Sequence, residues 1–600
     1  MASDIEKLRG DHPIPTKDFL KRTFKYLKPE WWAFLLAFFF IILNVIVDAI
    51  LPMMQQMFID GIKDIDNKVL MPIINIRLDV TLAFIIWLAV SFLILSMINQ
   101  AFLYIEGMIL QKAGQRVVYR LRMEVFEHIE RMSINQFNDM PVGSLVTRVA
   151  SYTNEMSALF TDTIVNLIRN LLTVVTVYAF MLYYSWRLSL ILLSIVVVVF
   201  IASLIFRHYI SKIYRKQRAL QSDFNSFLSE NLSGMKIIQL FVQEKRKKRE
   251  FDFKNKALLK QRDKMLALYA FYRPFITFTF YGALAMTFIL GVSFSLTAGE
   301  ILAFYLYVSK FFNPIESLAD QLNNIQRAKT ASERLFNLLD VKPEVLDKKD
   351  AIELDHIEGK IEFKNVWFAY EKDNWILKDV SFVINPKETC AFVGPTGSGK
   401  TTILSLIVRN YEVQKGEILI DGINVKDIKI ESLRKLVGQM LQDVFLFSGT
   451  IKNNITLHDD SHSDTEVMDA CKYVNADHFI SKLENGLNSE VIERGENFSQ
   501  GQRQLLSFAR TVLHKPQLLI LDEATANIDT ETEKLIQESL EKMKSIGTML
   551  VVAHRLSTIQ SANQIICLQN GEVVETGNHQ KLLKNRGYYY KLYQLQFADN

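Results

Sequence analysis

Cysteine is nearly absent. The 600 residues hold three, all beyond residue 389, with no CxxC pair and no metal-ligand spacing to a histidine. That excludes a disulfide scaffold, and Cys390, Cys471 and Cys567 are expected to be reduced, buried, small apolar side chains in a cytosolic part of the chain. Glycine and proline are sparse, 24 and 12 against 41 phenylalanines, which excludes collagen-like and low-complexity disordered chains. Neither sign of charge dominates: 69 Lys and Arg face 65 Asp and Glu, a formal net charge of +4 that is too balanced to imply nucleic-acid binding. The chain is rich instead in apolar side chains, 49% of residues with 11% aromatic and 22% charged, and its mean hydropathy is +0.11. At roughly 150 residues per domain the length allows about four soluble domains, but the apolar residues are not distributed that way.

They gather in six runs, near Trp31 to Leu51, Val80 to Tyr104, Ile164 to Tyr184, Leu188 to Phe206, Phe271 to Leu290 and Ile301 to Ile315. Each approaches the roughly 20 residues that cross a bilayer as helix, and nothing after residue 326 repeats the pattern. The sixth is the weakest, because Lys310, Asn313 and Pro314 interrupt it. The first starts thirty residues in, is longer than a signal-peptide core and lacks a small-residue cleavage site after it, so it is expected to be retained. Lys and Arg resist translocation, and segments 1–30, 106–160 and 208–270 hold 28 of them against 4 in the intervening segments. Both termini are therefore expected in the cytoplasm. The long segments 106–160 and 208–270 carry helix-period stretches and are expected to be cytosolic extensions of the membrane helices.

Before the first run, Phe19, Phe24, Tyr26 and Leu27 alternate with Lys17, Lys21, Arg22, Lys25 and Lys28. The pattern fits an amphipathic helix on an anionic membrane surface, with a solvated basic helix as the alternative. From residue 345 short β-branched runs alternate with helical ones, as in an α/β domain. The expected division is a cytoplasmic segment with an interfacial helix over 1–30, an α-helical membrane domain over 31–326, a linker over 327–355 and an α/β nucleotide-binding domain over 356–600.

The nucleotide reading rests on two motifs. Ala391, Phe392 and Val393 end a predicted strand and lead into Gly394-Pro395-Thr396-Gly397-Ser398-Gly399-Lys400-Thr401, a GxxxxGK[ST] loop with strand before and helix after. Glycines let backbone N–H groups curl round phosphate oxygens, the helix N-terminus adds its positive end, Lys400 supplies a point charge, and Thr401 offers a hydroxyl to Mg2+; Thr402 follows in the same turn. Leu518 to Leu521 form an apolar run that ends in Asp522 and Glu523. Such a run suits the centre of a parallel sheet, whose carboxyl ends receive ligands. Asp522 is placed to reach Mg2+ and Glu523 to orient or deprotonate the attacking water.

Phe498-Ser499-Gln500-Gly501-Gln502, upstream of Asp522, resembles the signature motif of ATP-binding cassette proteins. With six preceding apolar runs, the chain from about residue 17 to 595 is similar to a half-transporter of the exporter type, six transmembrane helices fused to a P-loop domain. The resemblance implies ATP as cofactor with Mg2+, and gives further roles by position. Tyr370 matches the aromatic that stacks on adenine. Gln442 matches the glutamine that senses metal and γ-phosphate. His554 matches the switch histidine at the γ-phosphate. Asp529 is retained in the loop after Glu523, where Ala526 and Ile528 replace the usual Ser and Leu.

In that family each ATP lies between the phosphate loop of one domain and the signature motif of the opposite one, so Ser499, Gln500, Gly501 and Gln502 are expected to face a partner's ATP. Gln500 stands where glycine is usual and Phe498 where Leu is usual, while Lys400, Gln442, Glu523 and His554 are intact. The one-sided defect resembles one half of heterodimeric bacterial exporters, with a homodimer as the alternative. Met140 to Leu145 and Leu232 to Lys236 resemble the family's short coupling helices, the second of which crosses to the partner. Within the runs, Asp48, Arg169, Lys310 and Arg273 are expected to face the bundle interior or a water-filled cavity, or in the case of Asp48 to pair within the bundle. Nearby aromatics, among them Phe278, Phe304, Tyr307 and Phe311, suit hydrophobic or amphipathic cargo or plain lipid-facing packing.

The reading is ATP-driven export of multidrug type across a bacterial cytoplasmic membrane. Lipid translocation and an ATP-gated channel or receptor are its rivals. Peptide export with leader cleavage is disfavoured, since no cysteine precedes Cys390 to act as nucleophile.

Overall fold

The computed structural model describes residues 12–63, 68–71, 76–79, 82–371, 374–440, 444–522, 530–552 and 556–597. They divide into two compact units, one of 1–130 with 140–341, the other of 131–139 with 342–600.

The first unit is built on long helices: α1 (Thr16–Leu27), α2 (Trp31–Lys63), α3 (Leu82–Glu130), a short α4 (Ile134–Asn138) that belongs to the second unit, then α5 (Val142–Tyr184), α6 (Trp186–Ser233), α7 (Met235–Leu240), α8 (Glu244–Ser293) and α9 (Ala298–Leu339). Lengths of 48 to 50 residues in α3, α6 and α8 exceed any bilayer by more than twofold, so each carries its apolar run and a long polar extension in one continuous helix. Among the described residues, five helical stretches are long and apolar enough to cross a membrane. The sixth, α9, falls short of that measure, because Glu300, two tyrosines, Lys310 and Asn313 dilute its run. It is also the run that the sequence marked as weakest. Large apolar side chains such as Trp87, Met97 and Phe278 stand exposed on these helices, as the hydrocarbon of a bilayer requires. A hairpin of β1 (Lys68–Met71) and β2 (Ile76–Asp79) follows α2, which hydropathy did not foresee.

Helix α1 divides its apolar residues. Phe19, Tyr26 and Leu27 are buried, with Tyr26 stacked on Phe336, and Arg22 is bidentate to Asp340 at 2.8 and 2.9 Å. Phe24 stays exposed with Lys17, Lys21, Lys25 and Lys28. Glu30, at the joint with α2, holds Arg116 and Arg120 at 3.3 and 3.0 Å.

Polar groups inside the bundle find one another. Asp48 pairs with Lys310 at 2.7 Å, Asn44 donates to Asn99 at 2.7 Å, the Tyr307 hydroxyl donates to the Ala49 carbonyl, and buried Glu106 pairs with Arg169. Mutual pairing therefore accounts for three of the ionisable residues singled out above. Phe304 and Tyr307 are wholly buried in the core shared by α5, α6, α8 and α9, while Phe278 is 80% exposed.

The second unit is α/β. A four-stranded antiparallel sheet joins β3 (Ile361–Ala369), β4 (Trp375–Ile384), β6 (Lys415–Ile420) and β7 (Ile423–Asn424). The main sheet contains β5 (Thr389–Val393), β8 (Val437–Met440), β11 (Leu518–Asp522), β12 (Thr548–Val552), β13 (Gln564–Gln569) and β14 (Glu572–Gly577), with a small antiparallel pair β9 (Gly449–Thr450) and β10 (Glu490–Val491) apart from it. Its order is β14-β13-β5-β12-β11-β8, parallel except for β14. Every residue of β5 and β12 is buried, which explains their unbroken apolar runs. Alternate side chains feed two cores: Ala391, Leu519, Leu521 and Val551 on one face, Cys390, Phe392, Ile520 and Leu550 on the other. All three cysteines are free and buried, and burial raises each thiol, Cys471 and Cys567 to about 12, so they are inert in the way the sequence implied. Residues 327–339, expected as the start of a linker, continue α9.

Removing Glu106 leaves the Arg169 guanidinium without its counter-charge among apolar helices. Glu106→Leu should cost about 3 kcal/mol or more of stability, and the double replacement Glu106→Leu with Arg169→Met should recover most of it, both read from thermal unfolding in detergent.

Candidate functional site

The main sheet delivers its loops to one edge. β5 lies between β13 and β12, and its carboxyl end opens into Gly394–Gly399, followed by α10 (Lys400–Ile407). Gly399 caps this helix at φ +100°, and a Cβ there would meet Leu377 at 2.5 Å, so only glycine turns the chain so sharply into the helix. Gly397, at φ +83°, has open space where a Cβ would stand, which leaves the loop's hollow clear. Pro395, Thr396 and Gly397 form an exposed crest; Ser398, Gly399 and Lys400 form a buried floor.

Lys400 is 7% exposed, and its ammonium donates to the carbonyls of Gly394 at 2.8 Å and Pro395 at 3.0 Å. Burial lowers its pKa, partly offset by the charge of Asp522 at the end of β11. β12 lies between β5 and β11, so this carboxylate acts from the strand after next, not from the adjoining one. Ser398 is buried with its hydroxyl unpartnered, whereas Thr401 is exposed on the first helical turn. Among the described residues, a buried cation bonded to carbonyls, an unpartnered hydroxyl, an open hollow and a helix N-terminus are together a cradle for phosphate oxygens, and exposed Thr401 with Asp522 suits a divalent cation.

Tyr370 follows β3, and its hydroxyl lies 3.0 Å from that of Thr402, so Thr402 points to this tyrosine rather than into the cradle. Gln414 clamps the preceding Ala369 by accepting from its N–H at 3.1 Å and donating to its carbonyl at 2.9 Å. Gln442, Glu523 and His554 lie outside the described residues, as do Ala526, Ile528 and Asp529.

Ser499 caps helix α11 (Gln500–Leu513). Its hydroxyl accepts from the Gln502 N–H at 3.2 Å, and the Gln502 side chain accepts from the Ser499 N–H at 3.0 Å. The serine proton remains free to donate outward. Phe498 is buried against Phe479, Gly501 is buried, and Gln500 is exposed on the first turn. The signature segment is thus anchored from below and presents Ser499 and Gln500 on its surface.

The short helix joining α3 to α5 is α4, capped by Ser133, which ends before the expected Met140 to Leu145; Pro141 caps the start of α5 instead. The second is α7, which overlaps the expected Leu232 to Lys236 only at Met235 and Lys236: Leu232 and Ser233 end α6, and Gly234 breaks the chain between the two helices. Sequence reasoning missed Tyr411, whose ring meets Tyr370 edge-on at 5.1 Å, and Arg409, wholly buried and bound to Asp347, Glu412 and the carbonyls of Leu346 and Ile428. Neither has a signal in spacing or periodicity.

Two family descriptions match this chain, an ABC transporter transmembrane region over 34–315 and an ABC transporter domain over 377–526. The putative ABC transporter ATP-binding protein exp8 of Streptococcus pneumoniae is 38% identical over 96% of the chain and 97% of its own length. The chain belongs to the ABC transporter family. The probable multidrug resistance ABC transporter ATP-binding/permease protein YheH of Bacillus subtilis is 36% identical over 82% of this transporter and 74% of its own length. A solved structure of a bacterial Atm1-family ABC exporter with ATP bound superposes with a TM-score of 0.75 at 25% identity, covering 95% of this chain and 98% of that one. The protein is a multi-pass membrane transporter of exporter fold, and its α/β half is the ATPase that drives transport.

The orphaned Ser398 hydroxyl makes a prediction of opposite signs. Ser398→Ala should stabilise the nucleotide-free protein by about 1 kcal/mol, since an unsatisfied buried group is removed, and should weaken nucleotide binding several-fold. Thermal unfolding without nucleotide and titration with a non-hydrolysable ATP analogue measure the two effects.

Proposed function

We propose that this chain is one half of a heterodimeric exporter in a bacterial cytoplasmic membrane, with hydrophobic or amphipathic compounds as cargo and ATP with Mg2+ as the driving pair. The observation that carries the heterodimer is the contrast between a complete phosphate cradle around Lys400 and the exposed Gln500 on the first turn of α11. A side chain there obstructs the close backbone approach that a partner's γ-phosphate needs. The partner supplies an ordinary signature to the site holding Glu523, and its own ATP is covered by Ser499, Gln500, Gly501 and Gln502.

In the complete site, Lys400 and the first-turn amides of α10 bind phosphate oxygens, and Tyr370 stacks on adenine. Thr401, Asp522 and Gln442 would hold Mg2+, which would supply positive charge against the phosphates. Glu523 orients and deprotonates the attacking water, and His554 donates to the γ-phosphate. The roles of Gln442, Glu523 and His554 rest on their sequence positions. The 28 to 4 distribution of bases supports cytoplasmic termini, and the exposed face of α1, with Phe24 and four lysines, suits an anionic inner surface. Helix α7 and the residues after it carry Ile237, Leu240, Phe241 and Val242, all more than 60% exposed, an apolar tip that suits docking on the partner's nucleotide-binding domain. An apolar cavity of about 430 Å³ in the membrane unit, lined by Leu171, Val174, Val197, Phe200 and Phe311 among others, supports hydrophobic cargo. The similarity to the probable multidrug resistance transporter YheH of B. subtilis supports the multidrug class.

Purified alone, the chain should show little of the vanadate-sensitive ATPase activity of the assembled pair; full activity in isolation overturns the obligate partner. Glu523→Gln should lower turnover by roughly 10²- to 10⁴-fold while ATP still binds, and unchanged turnover removes Glu523 from its role. In proteoliposomes the pair should move a fluorescent amphipathic dye only with ATP; movement of labelled lipid alone transfers the cargo class to lipid.

A further inference from the structure

Helices α2 and α9 each carry a proline at the same position relative to one ion pair. Pro52 lies inside α2, four residues after Asp48, and Pro314 lies inside α9, four residues after Lys310. Proline has no N–H to offer the carbonyl one turn before it, so the Asp48 and Lys310 carbonyls both lose their helical donor. The Asp48 carbonyl is met from the other helix: the Lys310 ammonium donates to it at 2.7 Å and lies 2.7 Å from Oδ1 of the same residue. The next carbonyl, that of Ala49, accepts from the Tyr307 hydroxyl at 2.7 Å. Helix α2 thus presents a carboxylate and a freed carbonyl at the partially negative C-terminal end of a half-helix, and α9 supplies the donors. Twelve residues separate Asp48 from Asp60, and twelve separate Lys310 from Ala298. Asp60 closes the far end of this seam by accepting from the Thr297 hydroxyl and the Gly299 N–H, each at 2.9 Å. At 1.5 Å per residue the ion pair lies about 18 Å from that end and about 25 Å from Trp31, inside the apolar run of α2. Its side chains are nevertheless 37% exposed at Asp48 and 25% at Lys310. Charge left open at such depth faces a water-filled space rather than hydrocarbon.

We propose that Asp48 is the binding site for the cationic amine of an amphipathic solute, and that Lys310 is its displaceable internal occupant. The proposal rests on the reading of the cargo as amphipathic. The oxygens suit an ammonium because an ammonium already holds them, and they favour a cation over an anion because the half-helix end adds to the charge of the carboxylate. Lys310 carries its charge on a flexible four-carbon stem and can withdraw; Arg169, a planar fork set against wholly buried Glu106, has no such freedom. A solute amine that takes the place of Lys310 repeats its hydrogen bonds and releases it into the water-filled space. The carboxylate keeps a cation throughout, so no uncompensated charge is left at this depth. All the groups involved belong to one chain and one compact unit.

The test measures binding of fluorescent probes that share one body and differ in charge: dansylcadaverine, a primary amine; its N-acetyl derivative, uncharged; and N-dansyl-6-aminohexanoate, an anion. The full-length protein is held in nanodiscs of zwitterionic lipid, with empty nanodiscs as background. The amine should bind roughly tenfold more tightly than either other probe. Lys310→Met should raise amine affinity roughly three- to tenfold, because an internal competitor is removed, and leave the N-acetyl derivative within about twofold. Asp48→Asn should abolish the preference. An ion pair that serves packing alone gives no gain on removal of the lysine, so equal or weaker amine binding in Lys310→Met overturns the proposal, as does a preference for the anion or one that survives Asp48→Asn. Should a single variant not fold, the paired replacement Asp48→Asn with Lys310→Met removes both charges together: no preference is expected, and a retained one overturns the proposal. ATP-driven uptake into proteoliposomes by the assembled pair separates the two readings. Movement of the N-acetyl derivative as fast as the amine overturns this proposal alone, whereas Asp48-dependent binding without ATP-driven movement of any probe overturns the cargo reading and leaves a cation site.

Discussion

A buried ammonium whose hydrogen-bond partners among the described residues are two carbonyl oxygens is the constraint on which the nucleotide half depends. Lys400 is bonded to Gly394 and Pro395, and its pKa is lowered because water is excluded faster than charge is compensated. Asp522 compensates in part, from a strand end once removed. A phosphate placed in the hollow over Gly397 supplies the missing anion, and it restores the ordinary preference for the charged lysine. The cradle is therefore poorer in energy when empty than when filled, which is the differential that a ligand needs to bias a conformation. The fully buried strands β5 and β12 hold that arrangement rigid, since neither can shift without exposing one of the two cores they serve.

Helix α10 extends the effect. Its first turn borders the cradle, and Arg409, just past its end, is bound to segment 342–347. Arg409 is fixed by four partners while its surroundings are dry, so it behaves as a rigid pin. Eight helical residues span about 12 Å, short enough to move as one body. The far end of α10 is thereby fixed to the segment 342–347 rather than left to solvent.

The phosphate loop, the apolar strand ending in Asp522, the signature segment and the long membrane helices were legible because each is a local pattern: glycine spacing, strand-length apolar runs, or twenty-residue hydrophobic stretches. What escaped is made of contacts between distant positions. Gln136 and Lys342 are 206 residues apart, and nothing in the composition near either marks their hydrogen bond. The site of the first short helix was displaced because Pro141 was read as the break, whereas the Ser133–Gln136 capping box starts a helix earlier and Pro141 opens the next one. Asp48 and Lys310, read as facing the interior or a cavity, or pairing, turned out to satisfy each other, which sequence cannot decide because pairing needs the helix register.

The same separation of local from distant explains why Gln500 alters the signature without unmaking it. The helix start depends on Ser499 and Gln502, which cap each other, and on Phe498, whose ring is sunk beside Phe479; Gln500 takes part in neither. Gln500 therefore changes the surface offered to another molecule without disturbing the contacts that anchor the segment. Under the proposed heterodimer, its effect falls on a nucleotide brought to α11 by a second nucleotide-binding domain and not on the packing of this chain.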